Sequence, residues 1–128
     1  MTEISNIPTP PHCIADVCMI PIGTSSPSVS KEVAEVQCLI EKSGLTFHMH
    51  SAGTTIVVCD RANAEILNLS EEGPWDKVLT VIGQAHTVLH EKGMVRVHSD
   101  IRVGSRTDKK ETMEGKVAAV NKILTKNK

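Results

Sequence analysis

The chain has 128 residues, 14 basic and 15 acidic side chains, a net charge of −1 and an apolar share of 40%, the size and make-up of one globular core. A near-neutral chain lacks the electrostatic footprint of a nucleic-acid binder. One Phe, one Trp and no Tyr cannot build the stacking platforms of single-strand binders. No apolar run approaches the ~20 residues of a membrane span. The opening Met-Thr-Glu-Ile has neither the basic nor the apolar region of a secretory signal, so a cytoplasmic location is expected. Cys13, Cys18, Cys38 and Cys59 form no Cys-x-x-Cys pair and read as reduced thiols, with Cys18 and Cys38 as small core residues.

Residues 1–12 carry Pro8, Pro10 and Pro11 and read as a flexible tail; residues 13–128 read as a single domain. Residues 14–22 form an apolar strand broken only by Asp16, with Pro21 at its end, where a missing donor is tolerated. After a Gly-Thr-Ser-Ser-Pro-Ser loop, Ser28 or Ser30 can cap a helix over 31–42 with Val33, Val36, Leu39 and Ile40 on one face. Gly44 suits its left-handed end. In a second strand over 46–51, Phe47 and Met49 oppose His48 and His50. Ala52-Gly53 turns the chain into a β-branched third strand, 54–58. Pro74 sits at the start of a second helix, whose stripe is Trp75, Val78, Leu79, Ile82, Ala85 and Leu89 and whose end is Gly93. A fourth strand, 94–103, alternates Val95, Val97, Ile101 and Val103 with Arg96, His98, Asp100 and Arg102. A last helix, 110–125, spaces Met113, Val117, Val120 and Leu124 on one face.

This β-α-β-β-α-β-α order predicts an α+β, ferredoxin-like βαββαβ sandwich with an extra C-terminal helix. Its four-stranded antiparallel sheet would be covered by helices on one face. The other face then carries Asp16, Cys18, Ile20, His48, His50, Arg96, His98, Asp100 and Arg102. A mixed polar and apolar face of this kind suits subunit contact, or a ligand held between subunits.

Four stretches, residues 15–24 (ADVCMIPIGT), 50–56 (HSAGTTI), 72–75 (EGPW) and 96–109 (RVHSDIRVGSRTDK), resemble the YkoF-like thiamine-binding family, in the branch with short fungal members. The resemblance runs from about residue 13 to 124. It implies a ferredoxin-like fold, a homo-oligomer (dimer or tetramer), and binding of thiamine or its hydroxymethylpyrimidine part. It implies no established catalysis and no cofactor. In the family the Thr-Thr-Ile strand runs directly into Glu-Gly; here residues 57–71, 15 in all, interrupt it. One origin is a genuine insertion that extends the strand through Val58 and adds a short helix over 62–69. The other is a translated retained intron, since Val codons begin GT and a Glu codon ends AG.

Thiamine joins a cationic thiazolium to an aminopyrimidine. A site for it needs negative charge, groups that hydrogen-bond the pyrimidine edge, and an apolar slot. The candidates are Thr24 and Ser25 in the loop after the first strand, Asp16, His50, Thr54, Thr55, Glu72 and Arg96, with Trp75 the one broad aromatic face. His48, His98, Asp100 and Arg102 are expected at an oligomer interface. Simpler roles compete: Thr24, Ser28 and Ser30 as helix caps, and Asp16 with Arg96 as a cross-strand pair. A metal reading would use His48 and His50 with His98 and Asp100 approaching. His86 and His90 have the i, i+4 spacing but lack a zincin's glutamate. The basic run from Arg102 to Lys110 can attract a phosphate or anchor a subunit. A pure interaction module is the remaining alternative.

Overall fold

A computed structural model describes residues 4, 7–23, 27–59, 73–108 and 113–126. The described elements are β1 (His12–Ile22), α1 (Ser30–Ser43), β2 (Thr46–His50), β3 (Gly53–Cys59), α2 (Pro74–Glu91), β4 (Arg96–Gly104) and α3 (Met113–Lys126). The sheet order is β2-β3-β1-β4 with every pair antiparallel, which is the ferredoxin-like split βαβ arrangement expected from the element order.

Alternation along the strands divides the sheet into two faces. Cys13, Ala15 and Val17 of β1 and Ile56 and Val58 of β3 join Val36 and Ile40 of α1 and Val78, Val81, Ile82, Ala85 and Leu89 of α2 in one core. Among the described residues, Ile40, Ile56 and Leu89 are the largest fully enclosed side chains, and burial of each contributes roughly 1.5–3 kcal/mol. Gly44 ends α1 at φ 78°, its N–H donating to the Glu41 carbonyl. Pro74 opens α2, and Asp76 Oδ2 accepts the Gly73 N–H at 3.1 Å.

The helices differ from expectation in detail. Val29, not a serine, is the N-cap of α1 and no side chain caps it. The Ser28 hydroxyl instead meets the Ser30 N–H and hydroxyl. On α2 the buried stripe is rotated: Val81 and Lys77 turn in and Leu79 is 52% exposed. Lys92 caps α2 before Gly93. The apolar run of β4 is also less enclosed than its alternation suggests. Val95 precedes the strand and is fully exposed, while Ile101 and Val103 stay partly open. β4 is an edge strand, and α2 reaches it at Ser99, whose hydroxyl meets His86 Nε2 at 3.1 Å. Of the three cysteines whose side chains are described, Cys13 is the core residue; Cys38 is exposed and Cys18 half-buried.

β1 begins at His12, the last residue of the expected tail, and His12 is buried. Val57, Val58 and Cys59, the first residues of the interruption, continue β3 opposite Ile14, Cys13 and His12. The helix expected over 62–69 lies outside the described residues. On the second face, α3 brings Lys116 and Val117 beside Ile14, Asp16 and Arg102.

Candidate functional site

A pocket of 220 Å³ opens where α1, β1 and the β2–β3 turn converge. Its walls are mostly apolar: Val17 and Met19 from β1, Val33 and Val36 from α1, Met49 from β2. The polar groups among them are few and come from separate elements. Gln37 of α1 donates from Nε2 to Thr54 Oγ1 of β3 at 2.8 Å, and Thr54 is buried. Gln37 Oε1 is buried with no hydrogen-bond partner, so one acceptor is held within the lining. Glu32, in the first turn of α1, adds a carboxylate, and His50 closes the turn side.

His50 Nε2 meets Asp16 Oδ1 at 2.6 Å, and Thr55 Oγ1 donates to the same oxygen at 3.2 Å. The Ala52 N–H donates to His50 Nδ1 at 3.2 Å. An Nδ1 that accepts leaves the proton on Nε2, so the neutral ring is held as the tautomer that donates to Asp16. Asp16 and Thr55 open into a second cleft, on the other face of the sheet.

The model of the thiamine-binding protein family matches residues 15–60 and 70–121. The chain belongs to the thiamine-binding protein family. It is 46% identical over 114 residues to the UPF0045 protein ECM15 of Eremothecium gossypii, covering 89% of this chain and 94% of that one. It is 36% identical to the UPF0045 protein YqgV of Bacillus subtilis over 87% of this chain and 96% of that one. Among solved structures, hypothetical protein MJ1052 of Methanocaldococcus jannaschii superposes with a TM-score of 0.67 at 26% identity, covering 87% of this chain and 97% of that one. A Thermotoga maritima protein proposed to act in thiamine biosynthesis or salvage shares the fold, with a TM-score of 0.63 at 13% identity over 86% and 99% of the two chains.

In this member of the thiamine-binding family, the residues expected to form one site are divided. Thr54 and His50 line the pocket; Thr55 and Asp16 line the cleft. Adjacent residues of a strand face opposite ways, so Thr54 and Thr55 cannot serve one cavity. Trp75 lines neither cavity; its Nε1 donates to the His12 carbonyl at 3.2 Å. Arg96 lines neither as well. It stands opposite Ile22 and donates from Nε to His98 Nε2. The expected cross-strand pair of Asp16 with Arg96 is overturned by register: Asp16 stands opposite Arg102. Thr24, Ser25 and Glu72 lie outside the described residues.

His98, opposite Ile20 on β4, is on the far edge of the sheet from His48 and His50 on β2, so it does not approach them. Among the described residues no group of three or more His, Cys, Asp or Glu could hold a metal ion. No described helix is long and apolar enough to cross a membrane. His86 is drawn below the ordinary imidazole range, first by burial and then by His90 and His98.

Sequence reading missed Gln37 and Glu32. A signal was there for Gln37: it falls between Val33, Val36 and Ile40 on the inward stripe of α1. A glutamine at a core position implies a polar partner.

Proposed function

We propose that the protein is a cytoplasmic binding protein for thiamine or its hydroxymethylpyrimidine moiety. It works without catalysis and as a homo-oligomer, dimer or tetramer. The observation that carries this reading is the Gln37–Thr54 pair in the apolar pocket. The pair fixes the amide, and Gln37 Oε1 is left to accept from the exocyclic amine of an aminopyrimidine. Glu32 supplies the negative charge that a thiazolium requires. With so few aromatics, the ring would lie against Met19 and Met49, whose sulfurs make favourable contacts with aromatic rings. At 220 Å³ the pocket is smaller than the roughly 300–1,000 Å³ of drug-sized sites, which favours the single pyrimidine ring as the enclosed part. The family membership supports the same ligand class.

The exposed stripe of Val117, Val120, Ile123 and Leu124 on α3 supports self-association, since such stripes are normally covered. His48, His98, Asp100 and Arg102 all lie exposed on the face where a second copy would meet the first.

Calorimetric titration with thiamine and with hydroxymethylpyrimidine tests the reading. Saturable binding is expected, weakened about tenfold in Gln37→Leu by loss of one buried hydrogen bond. Absence of heat with both ligands at millimolar concentration would overturn it.

A further inference from the structure

The pocket between α1, β1 and the β2–β3 turn is one-sided in charge. Among its described lining residues there is no lysine or arginine; besides the Cys18 thiol, the groups that can carry charge are Glu32 and His50. His50 is engaged by Asp16 at 2.6 Å. Glu32 is not engaged. It is the third residue of α1, where a glutamate can reach back to cap the helix, yet no side chain caps α1. Nor does Glu32 enter an ion pair with any described residue; the pairs formed are His50–Asp16, Lys92–Glu35 and Arg106–Asp108. A half-buried carboxylate with no cation beside it therefore stands in an otherwise apolar wall.

We infer that Glu32 sets the charge class of the ligand: the pocket takes the pyrimidine with a cationic or neutral substituent and excludes its phosphate monoester. The inference rests on the pyrimidine reading of the pocket. In thiamine and in hydroxymethylpyrimidine the methylene group sits on the ring carbon next to the one that bears the amine. With the amine on Gln37 Oε1, the methylene and its substituent lie beside that anchor. Glu32 is on the same helix, about 7.5 Å away along its axis at 1.5 Å per residue. The substituent is a thiazolium cation in thiamine, a hydroxyl in the free pyrimidine, and a group of about −1.5 to −2 charge in the phosphate ester. A carboxylate attracts the first, is indifferent to the second and repels the third. The first turn of α1 would by itself favour an anion, because its free amides point that way. Glu32 reverses that sign. The ligand is then the free alcohol or its thiazolium adduct, so a hydrolysis that removes phosphate must come before capture of any esterified form.

The test is calorimetric titration of the full chain at low ionic strength with thiamine, hydroxymethylpyrimidine and hydroxymethylpyrimidine phosphate, in the wild type, Glu32→Gln and Glu41→Gln. Circular dichroism confirms that each variant folds. The wild type is expected to bind thiamine most tightly, the free pyrimidine next and the phosphate ester least. In Glu32→Gln, thiamine should lose about fivefold in affinity and the phosphate ester should gain about as much, the upper range for a partly exposed charge pair. The neutral pyrimidine should not change. Glu41→Gln removes the same charge from the exposed far end of α1 and should bind as the wild type. A phosphate ester bound by the wild type as tightly as the free pyrimidine would overturn the proposal. A Glu32→Gln variant that weakens all three ligands alike would make Glu32 structural and overturn it. A Glu41→Gln variant that matches Glu32→Gln would reduce the effect to net charge and overturn it. Binding of thiamine and the free pyrimidine with no response to Glu32→Gln removes this proposal and leaves the pyrimidine reading standing; no binding of either removes both.

Discussion

His50 Nε2 donates to Asp16 Oδ1 at 2.6 Å although their strands are not neighbours. β3 lies between them, and the residue it places opposite His50 is Gly53. With no side chain there, the imidazole crosses the strand and ties the β2 edge to the sheet centre. A Cβ on Gly53 would lie 2.6 Å from the Val17 carbonyl oxygen and 3.4 Å from His50 Cε1.

Gly53→Ala should therefore push the β2–β3 turn away from β1. The obstacle is backbone, which has little freedom to yield, so a loss of about 1–3 kcal/mol is expected in urea unfolding. The His50–Asp16 bond should go with it, seen as a shift of the His50 ring resonances. A variant as stable as the wild type would show that the turn relaxes without cost.

The His50 ring should be found as the Nε2–H tautomer in a long-range proton–nitrogen spectrum at neutral pH, because Ala52 donates to Nδ1. Asp16→Ala should shift the ring toward a tautomer mixture and cost about 1–3 kcal/mol, for the two partly exposed hydrogen bonds from His50 and Thr55. An unchanged nitrogen pattern would assign the tautomer to Ala52 alone.

Val117→Ser combined with Val120→Ser removes apolar surface that is 61% and 56% exposed. The fold should be unaffected, since these side chains lie outside the core. Light scattering should record a fall in oligomeric mass. An unchanged mass would place the subunit contact away from α3.

Cys13 gives a pH dependence. Burial pushes its thiol from 9.0 up to about 11. The unfolded chain then releases this proton first, so the contribution is fully present below pH 9 and is lost as pH rises to about 11. The urea midpoint should fall across that window, and Cys13→Ala should flatten the fall. At pH 8 iodoacetamide should label exposed Cys38 and leave Cys13 unmodified until the protein unfolds.

The near-absence of aromatics, the element order, the sides of the sheet and the Gly44 and Pro74 boundaries were all legible in the chain. They rest on local chemistry: side-chain alternation, helical spacing, a left-handed glycine and a proline with no donor to lose. The family was legible in four short stretches, because turns and strand ends constrain residue type locally. Which strand residues face each other was not. Asp16 was paired in expectation with Arg96 and stands opposite Arg102, since register depends on how far one strand slides along another, and local pattern fixes only its parity.

The sequence by itself determined the sandwich, its covered face and the family. Only the tertiary structure decided the cavities and what lines them. It drew Gln37 of α1 onto Thr54 of β3 and put Thr55 with Arg102 and Lys116 on the other side of the sheet. Each cavity is made by residues far apart in the chain, and their meeting depends on helix packing and strand register, which no local spacing encodes.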